Sequence, residues 1–461
     1  MNLAELDQKR VHFIGLGGAG MSGIARIMIA RGISVSGSDS KDSPVLEGLR
    51  TLGATVFIGH LAENISNAEV LVYTSAISES NPELIAAKES GLLILSRAKA
   101  LAILMSGSKA IAVAGTHGKT TTTSMLTVAL QSAGMDPSFA IGGAINRSGT
   151  NAHLGTGEVF VAEADESDGS FLEYKPLGAI ITNIELDHVD HFPDLESVLK
   201  IFEDFVNSIK PNGFLVAGID SPGVVELLYR IKRTDIAIHT YGAEGEFSFS
   251  HQALQAKSGS VRVIRKGKVL GELVLTIPGA HNLQNATAAL VAGLEVDASF
   301  QELITGLESF SGARRRFENR GTANGITVID DYGHHPTEVK VTLETTRRFA
   351  GSGQVIVIFQ PHRYSRTAMF ASDFAKALNL ADQIYLLEIY AASEQPIAGV
   401  SSLLIAKEID ANKVKYQPSM IEVVEEITRL AKPGDVVVTL GAGDVNSLAP
   451  VLLKSIEDRI A

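Results

Sequence analysis

The amino-acid sequence predicts an α/β protein with three domains, each built on a mostly parallel β-sheet. The first observation is the length, because 461 residues are too many for one hydrophobic core. The second is that short apolar, strand-like runs alternate with helix-period segments along the chain, as in sheets covered by helices. The third is that two glycine-rich strand–loop–helix starts occur, and another strand–loop–helix series begins near residue 326. We therefore predict domains at 1–107, 108–321 and 322–461.

Composition narrows the class of function. The net charge of −12 argues against non-specific binding to nucleic acid or to an anionic membrane surface. The chain has 0 cysteines, which excludes disulfides and thiolate metal sites, so a metal must be held by oxygen or imidazole. The N-terminal MNLAELDQKR is polar, and no apolar run approaches the length of a membrane span. We expect a cytoplasmic enzyme without nucleic-acid or membrane partners.

The first domain opens on a strand and a glycine loop, VHFIGLGGAGMSG. Its G-x-G-x-x-G spacing, with an acidic residue about twenty positions later, is the dinucleotide fingerprint, which taken alone suggests NAD. This predicts a Rossmann-like domain. Its candidate ligand-binding residues are Gly15, Gly17, Gly18, Gly20, Ser38 and Asp39.

The second domain opens on AVAGTHGKTTTTSML, residues 112–126. Here the glycines let backbone N–H groups face phosphate oxygens, the lysine supplies a charge, and a hydroxyl can hold Mg²⁺. The strict pattern needs a glycine where this chain has Val113, so the match is to the shorter G-x-x-G-K-T form. A strand–turn–helix with capping threonines is the alternative. We favour a nucleotide and a P-loop ATPase-like domain.

Two acidic clusters follow strand ends downstream of this loop. Glu163 closes one strand, and Asp187, His188, Asp190 and His191 follow the next. Carboxyl ends of parallel strands meet at one edge, so both clusters should lie beside the phosphate loop. Oxygen ligands with one imidazole suit Mg²⁺. The alternative for either acidic cluster is a solvated loop at the surface. Glu166 rivals Glu163 as ligand, and spacing alone does not separate them.

Later motifs carry amide, imidazole and guanidinium groups. HNLQNATAA places Asn282 and Asn285 at a helix start, where they either cap the helix or contact a purine edge. GARRRFENRG predicts an exposed basic turn at a domain boundary.

A third-domain strand leads into DDYGHHPTE, residues 330–338. FQPHRYSRT carries Arg363 and Arg366, which form either a clamp for a carboxylate or phosphate or a solvated basic face. The buried strand before them favours a site.

Seven of these motifs occur in the order found in the ATP-dependent Mur ligases of peptidoglycan synthesis, and the chain resembles that family over essentially its whole length. The motifs are GTHGKTTT, EADESD, NIELDHVD, HNLQN, GARRRFE, DDYGHHPTE and FQPHRYSRT. Together with GLGGAGMSGIA, the last two resemble the alanine-adding branch and its recycling relative. The phosphate loop and the metal-binding clusters are shared more widely, including with folylpolyglutamate synthetase.

The resemblance implies a three-substrate reaction with Mg²⁺, for which Mn²⁺ would substitute. ATP would bind the second domain, and the first glycine loop would bind the diphosphate of UDP-N-acetylmuramate, which makes a dehydrogenase a minor alternative. L-Alanine would join the lactyl carboxylate through an acyl phosphate, in a monomer or weak homodimer. Two alternatives remain: a recycling ligase that adds a whole peptide, and a nucleotide-binding protein without turnover.

The resemblance also implies roles for individual residues. Those implied for ATP are Gly115, Thr116, His117, Gly118, Lys119, Thr120 and Thr121, with Asn285 and His281 or Asn282 at adenine. Those implied for the metal are Thr120, Glu163 and His188. Arg363 and Arg366 would hold the alanine carboxylate, with Tyr332 and His334 near its amine. The implied catalytic residues are Lys119, His188 and His334. No motif identifies the carbamylated lysine that some Mur ligases use, although Lys200 is the next lysine after His188.

Overall fold

A computed structural model describes residues 1–459 except 75, 190 and 393, and of residue 251 only the backbone. Asp190, one member of the predicted acidic cluster, therefore lies outside the described residues. The described residues form three separate sheets of five, ten and six strands, most of them paired in parallel. The predicted fold class is confirmed.

The first sheet is parallel throughout. Its strands are β1 (Arg10–Ile14), β2 (Ser34–Asp39), β3 (Thr55–Ile58), β4 (Val70–Tyr73) and β5 (Leu93–Ser96). Its helices are α1 (Leu3–Leu6), α2 (Ala19–Ala30), α3 (Pro44–Thr51), α4 (Pro82–Glu89) and α5 (Arg97–Met105), with a 3₁₀ turn at Ala62–Ile65. The strand order is β3-β2-β1-β4-β5, so the direction of winding reverses between β1 and β4. Open sheets of this kind bind ligands outside that reversal point.

The second sheet is mixed. Its strands are β6 (Lys109–Ala114), β7 (Ser138–Ala140), β8 (Ala152–His153), β9 (Val159–Glu163), β10 (Gly178–Ile181), β11 (Phe214–Gly218), β12 (Ala237–Tyr241), β13 (Phe247–Leu254), β14 (Gly259–Arg265) and β15 (Lys268–Leu275). Its helices are α6 (Lys119–Ser132), α7 (Leu195–Asn207), α8 (Pro222–Arg230), α9 (Ala280–Leu294) and α10 (Phe300–Glu308), with a 3₁₀ turn at Ser170–Glu173. The order is β15-β14-β13-β12-β11-β10-β6-β9-β7-β8. An antiparallel meander, β13 to β15, extends one side of a parallel centre.

The third sheet has one antiparallel edge. Its strands are β16 (Glu318–Ala323), β17 (Ile326–Asp331), β18 (Val355–Phe359), β19 (Gln383–Leu386), β20 (Val414–Tyr416) and β21 (Val436–Leu440). Its helices are α11 (Pro336–Ala350), α12 (Tyr364–Leu378), α13 (Leu403–Ala406), α14 (Met420–Leu430) and α15 (Leu448–Asp458), with a 3₁₀ turn at Val445–Ser447. The order is β16-β17-β21-β18-β19-β20, and β16 pairs antiparallel with β17. The boundary predicted at 321/322 falls inside β16. The predicted basic turn before it is exposed at Arg314 and Arg320 but partly buried at Arg315 and Arg316.

The first two domains share one hydrophobic core, which runs from Leu6 to Ile236. Helix α2 packs on the short hairpin β7–β8, where Asn151 Nδ2 donates to the carbonyl of Ala19 at 2.8 Å. The third domain has separate apolar clusters on the two faces of its sheet. Across the part of the chain that the structure describes, no helix combines the length and apolar character needed to cross a membrane.

Candidate active site

The phosphate loop connects β6 to α6 in a conformation that only glycine adopts easily. Gly115 has φ +130°, and a Cβ there would lie 2.1 Å from Thr182 Oγ1. Gly118 has φ +83° and precedes α6, with Asn285 Oδ1 2.9 Å from the position of a Cβ. The two glycines therefore let the neighbouring segments approach closely, and the loop leads directly into the N-terminus of a 14-residue helix.

Contacts from the strand-end segment after β10 fix this loop. Asn183 Oδ1 accepts the backbone N–H of His117 at 2.8 Å, and Thr182 Oγ1 donates to the His117 carbonyl at 2.6 Å. Thr116 Oγ1 accepts the backbone N–H of Glu185 at 2.9 Å. The side chain of Thr116 is therefore engaged inside the protein, and the loop is held in one shape.

Lys119 is partly buried among acceptors. Its ammonium donates to the carbonyl of Gly115 at 2.7 Å and to Glu166 Oε1 at 2.9 Å. Burial opposes the charge, but the Glu166 and Asp165 carboxylates outweigh it and raise the pKa of Lys119. The loop thus contains a lysine whose charged form is favoured by the carboxylates around it.

Glu163 and Thr120 are two of the three residues in the predicted metal set. Glu163 Oε1 accepts the Thr120 hydroxyl at 3.0 Å, and Glu163 Oε2 accepts the backbone N–H of Gly142 at 2.7 Å. A hydroxyl and a carboxylate placed side by side are ligands that Mg²⁺ accepts. The structure brings these two predicted residues together at the ends of β9 and the phosphate loop.

His188 lies instead beside the rival carboxylate. Its Nε2 is 3.8 Å from Glu166 Oε1 and 3.8 Å from Asp187 Oδ2. Burial raises the pKa of Glu166 to about 7, in opposition to the nearby Lys119 charge. The two carboxylates thus differ in environment: Glu163 meets the threonine, whereas Glu166 meets the lysine and the histidine. Lys200 lies on α7, where its exposed ammonium pairs with Asp204 at 2.8 Å.

A cavity of about 290 Å³ adjoins the loop and unites the predicted adenine residues. His281, Asn282 and Asn285 all line it, from the start of α9. Asn282 also donates to the Pro278 carbonyl at 2.7 Å, in the turn before the helix, and it makes no side-chain cap at the start of α9. Gly118 and Thr121 line the same cavity from the loop side. A planar ring held here would therefore sit next to the phosphate loop.

His117 connects the loop to the third domain. Its Nε2 is 3.4 Å from Glu185 Oε2, and its Nδ1 is 3.3 Å from Glu338 Oε1 on α11. Thr337 donates its hydroxyl to Glu185 at 2.6 Å, and the ring of His335 packs 4.6 Å from that of His117, centroid to centroid. Burial opposes protonation of His117, but Glu185 and Glu338 outweigh it and raise its pKa to about 9. His117, with Glu185 and Glu338, therefore forms a charged contact between the second and third domains.

The first glycine loop faces a second cavity of about 400 Å³ between the first and second domains. Gly15, Gly18 and Gly20 line one side of it. Glu163 and Asp168 of the second domain are among the residues that line the other side. The cavity therefore lies between the glycine loop and the predicted metal site.

The other residues predicted to bind this ligand, Gly17, Ser38 and Asp39, make hydrogen bonds within the protein. The backbone N–H of Gly17 donates to Asp39 Oδ2 at 2.9 Å. Ser38 is fully buried, and its hydroxyl donates to Glu83 and lies 2.9 Å from Nδ1 of His60. Ser38 and Asp39 are therefore engaged with the protein itself in this structure.

The predicted amino-acid residues gather where β17 and β18 end. The ring centroids of Tyr332 and His334 are 5.4 Å apart, and those of His334 and His362 are 5.8 Å apart. Burial lowers the pKa of His334 to about 3, so its imidazole is neutral at pH 7. Arg363 has φ +73° and caps α12, with its Nη1 3.8 Å from Glu394.

Arg366 makes the tightest contact in this group. Its Nε and Nη2 donate to Asp187 Oδ1 at 2.9 and 2.7 Å, and both side chains are 4% exposed. Burial opposes ionisation of Asp187, but Arg366 outweighs it and lowers the pKa of Asp187 far below its ordinary value. The amino-acid cluster is therefore joined to the loop that carries His188.

Sequence reasoning missed two arginines in these cavities. Arg97 begins α5 at the end of β5, next to Gly20, and faces Asp165 at 3.9 Å. Its position at a strand end was a signal that could have identified it. Arg316 lines the 290 Å³ cavity and donates to Thr120 Oγ1 at 3.3 Å. The motif that contains Arg316 indicated a turn, and nothing local pointed its side chain toward the phosphate loop.

Comparison with known proteins gives a consistent result. Three family models match in order: the Mur ligase family catalytic domain at 10–109, the Mur ligase middle domain at 113–293, and the Mur ligase glutamate ligase domain at 315–443. The UDP-N-acetylmuramate–L-alanine ligase of Saccharopolyspora erythraea is 48% identical, covering 97% of this chain and 94% of that one. The enzyme of the same name from Acidothermus cellulolyticus is 46% identical, covering 98% and 95%.

Solved structures are similar over the full length. The UDP-N-acetylmuramate–alanine ligase of Thermotoga maritima superposes with a TM-score of 0.82 at 28% identity, covering 97% of this chain and 99% of that one. A murein peptide ligase from Psychrobacter arcticus superposes with a TM-score of 0.73 at 25% identity, covering 98% and 100%. Both similarities include all three sheets.

Proposed function

The chain belongs to the Mur ligase family, and from that premise we propose that it is a UDP-N-acetylmuramate–L-alanine ligase. It joins L-alanine to the lactyl carboxylate of the sugar nucleotide at the expense of ATP, in peptidoglycan precursor synthesis. ATP is available in the cytoplasm, and we assign the reaction to that compartment.

One observation carries the proposal: a continuous series of contacts links the phosphate loop to the amino-acid cluster. Lys119 bonds Glu166 at 2.9 Å, Glu166 lies 3.8 Å from His188, and His188 lies 3.8 Å from Asp187. Asp187 in turn bonds Arg366 at 2.7 Å. A ligase that activates a carboxylate and then adds an amine needs the phosphate and amine sites this close together.

ATP fits the second domain. The 115–121 loop would hold its phosphates, because the glycines leave room for close approach and Lys119 and Arg316 supply positive charge. His281, Asn282 and Asn285 would meet the adenine in the adjoining cavity.

The sugar nucleotide fits the 400 Å³ cavity. Gly15, Gly18 and Gly20 would admit the UDP diphosphate, and Arg97 would neutralise part of its charge. The far end of this cavity reaches Glu163, so a lactyl carboxylate there would lie beside the metal site.

The donor set fits Mg²⁺, and Mn²⁺ would bind the same oxygen and imidazole ligands. Thr120 and Glu163 would hold the ion, and His188, which lies beside Glu166, would supply an imidazole ligand. When bound, the ion neutralises the charge that develops on the transferring phosphoryl group.

The chain's own residues position the reactants and stabilise charge. The lactyl carboxylate attacks the γ-phosphorus, the bond to ADP breaks, and an acyl phosphate forms, with Lys119 beside the phosphoryl oxygens. The alanine amine then attacks the acyl carbon and phosphate leaves. Nδ1 of His334 bonds the carbonyl of Tyr332 at 3.1 Å, which leaves Nε2 as an acceptor that orients the amine.

Phosphate release tests the proposal. Purified protein with ATP and Mg²⁺ should release phosphate only when both UDP-N-acetylmuramate and L-alanine are present. Omission of either substrate is the control. Phosphate release without the amino acid would contradict the ligase assignment. No release with all substrates present would favour nucleotide binding without turnover.

A recycling ligase is the second candidate, because the Psychrobacter arcticus murein peptide ligase shares the fold over the whole chain. A tripeptide offered in place of alanine separates the two activities. We expect turnover with alanine and little with the tripeptide, and the reverse preference would support the recycling ligase.

A further inference from the structure

We propose that Asp187 is a positioning residue for the amino-acid site. Its carboxylate holds the Arg366 guanidinium by the Nε–Nη2 edge, so that the remaining Nη1–Nη2 edge is presented to the carboxylate of the incoming amino acid. This inference rests on the proposed function, in which Arg366 binds that carboxylate.

The hydrogen-bond geometry fixes the guanidinium. Nε and Nη2 both donate to the single oxygen Oδ1 of Asp187, at 2.9 and 2.7 Å. A guanidinium has five N–H groups in a rigid planar fork, so this use of one edge leaves the end-on edge for a second carboxylate. Nη1 lies 3.3 Å from Nδ1 of His362, a contact that engages one of its two N–H groups and limits rotation of the plane. One N–H of Nη1 and one of Nη2 then remain for the substrate. The arginine is held in one orientation before any substrate arrives.

The carboxylate is fixed as firmly as the guanidinium. Asp187 Oδ1 also accepts the backbone N–H of His188 at 2.7 Å, and both members of the pair are 4% exposed. A buried ion pair is weak evidence for a role in stability, because desolvation of the two charges offsets most of their attraction. Orientation of a functional group is a better account of a buried pair at this position.

The pair crosses between domains. Asp187 follows β10 of the second domain, whereas Arg366 lies in the first turn of α12 in the third domain. Arg363, at the N-cap of the same helix, has Glu394 of its own domain at 3.8 Å. Arg366 takes its orientation from the segment that carries His188. The amino-acid site is complete only while the third domain is docked on that segment.

The experiment measures alanine kinetics at saturating ATP, UDP-N-acetylmuramate and Mg²⁺ for Asp187→Ala, Asp187→Asn, Arg366→Lys and Asp187→Ala/Arg366→Lys. We expect Asp187→Ala to raise the alanine KM about tenfold or more, because a buried charge loses its partner, with a smaller change in kcat. Asp187→Asn should rescue part of this loss, since its amide oxygen still accepts from Arg366. In the double variant the two effects should not add.

Controls separate positioning from other roles. Asp204→Ala removes a carboxylate that pairs with the exposed Lys200, and it should leave alanine kinetics at the wild-type level. The Mg²⁺ concentration for half-maximal activity should be unchanged in Asp187→Asn, although the neighbouring residue is His188.

Several results would overturn the inference. A lower alanine KM in Asp187→Ala would mean that Asp187 competes with the substrate for Arg366. A raised Mg²⁺ requirement with normal alanine KM would assign Asp187 to the metal site. If Asp187→Ala does not fold, Asp187→Asn carries the test, and an unchanged alanine KM there refutes the inference. Failure of the proposed function looks different: the wild-type protein itself would then show no alanine-dependent phosphate release.

Discussion

The imidazole of His117 should carry a positive charge at pH 7, although it is nearly buried. It lies between Glu185, 3.4 Å from Nε2, and Glu338, 3.3 Å from Nδ1. Burial favours the neutral ring, but the two carboxylates outweigh burial and raise the pKa to about 9. A histidine in an unfolded chain titrates near pH 6.5. The phosphate loop therefore carries a second cation beside Lys119.

The size and sign of the effect follow from this difference. A change from a pKa of about 6.5 to about 9 corresponds to roughly 3 kcal/mol of interaction that favours the protonated ring. Because the pKa is raised in the folded protein, this stabilisation is fully present below pH 6.5 and is lost as the pH rises through about 9. The link between the phosphate loop and α11 should weaken over that interval.

Proton NMR of histidine-labelled protein between pH 5 and 10.5 measures the pKa directly, with His117→Gln identifying the resonance. Glu185→Gln and Glu338→Gln should each lower the pKa of His117, because each removes one of its two anionic partners. Glu295→Gln is the matched control, since Glu295 contacts a different histidine, His239, at 3.0 Å. A wild-type pKa of 6.5 or below, or no response to either carboxylate variant, would refute the electrostatic argument.

Three further predictions concern the phosphate and metal sites. Lys119→Ala should lose about 10²-fold or more in phosphate release while its circular dichroism stays normal, since the charge acts on the transferring phosphoryl group; near-normal activity would exclude this role. Glu163→Gln should raise the Mg²⁺ requirement measured by titration, whereas Glu166→Gln should mainly lower kcat by disturbing Lys119; the opposite pattern would make Glu166 the metal ligand. Gly115→Ala should weaken ATP binding in calorimetry at least tenfold, because its Cβ would lie 2.1 Å from Thr182 Oγ1; unaltered affinity would show that the loop is not the phosphate site.

The sequence predicted the fold and the placement of many site residues because their requirements are local. A glycine loop between a strand and a helix is recognisable from spacing alone, and the φ values of Gly115 and Gly118 fit that conformation. Carboxyl ends of parallel strands share one edge, which is how Glu163 came to be expected near Thr120. A structural feature whose physical cause lies within a few residues can therefore be predicted from the sequence pattern.

Contacts across large sequence separations were not predictable in the same way. Asp187 and Arg366 are 179 positions apart, and only the docking of two domains pairs them. Ser38 was expected to face a ligand, but α4 places Glu83 beneath it, 45 positions later, and the hydroxyl bonds inward. The direction of a side chain at a strand end depends on which helix packs behind it, and local periodicity does not carry that information.

The core shared by the first two domains has a consequence for synthesis on the ribosome. Helix α2 buries one face against the hairpin β7–β8, and the shared core extends as far as Ile236. Translation proceeds at about 5–20 residues per second, so the roughly 130 residues between Met105 and Ile236 take on the order of 10 s to appear. During that interval the completed first sheet exposes apolar surface that only later residues cover. We therefore expect the nascent chain to be a client for chaperones that shield hydrophobic patches until the second sheet has formed.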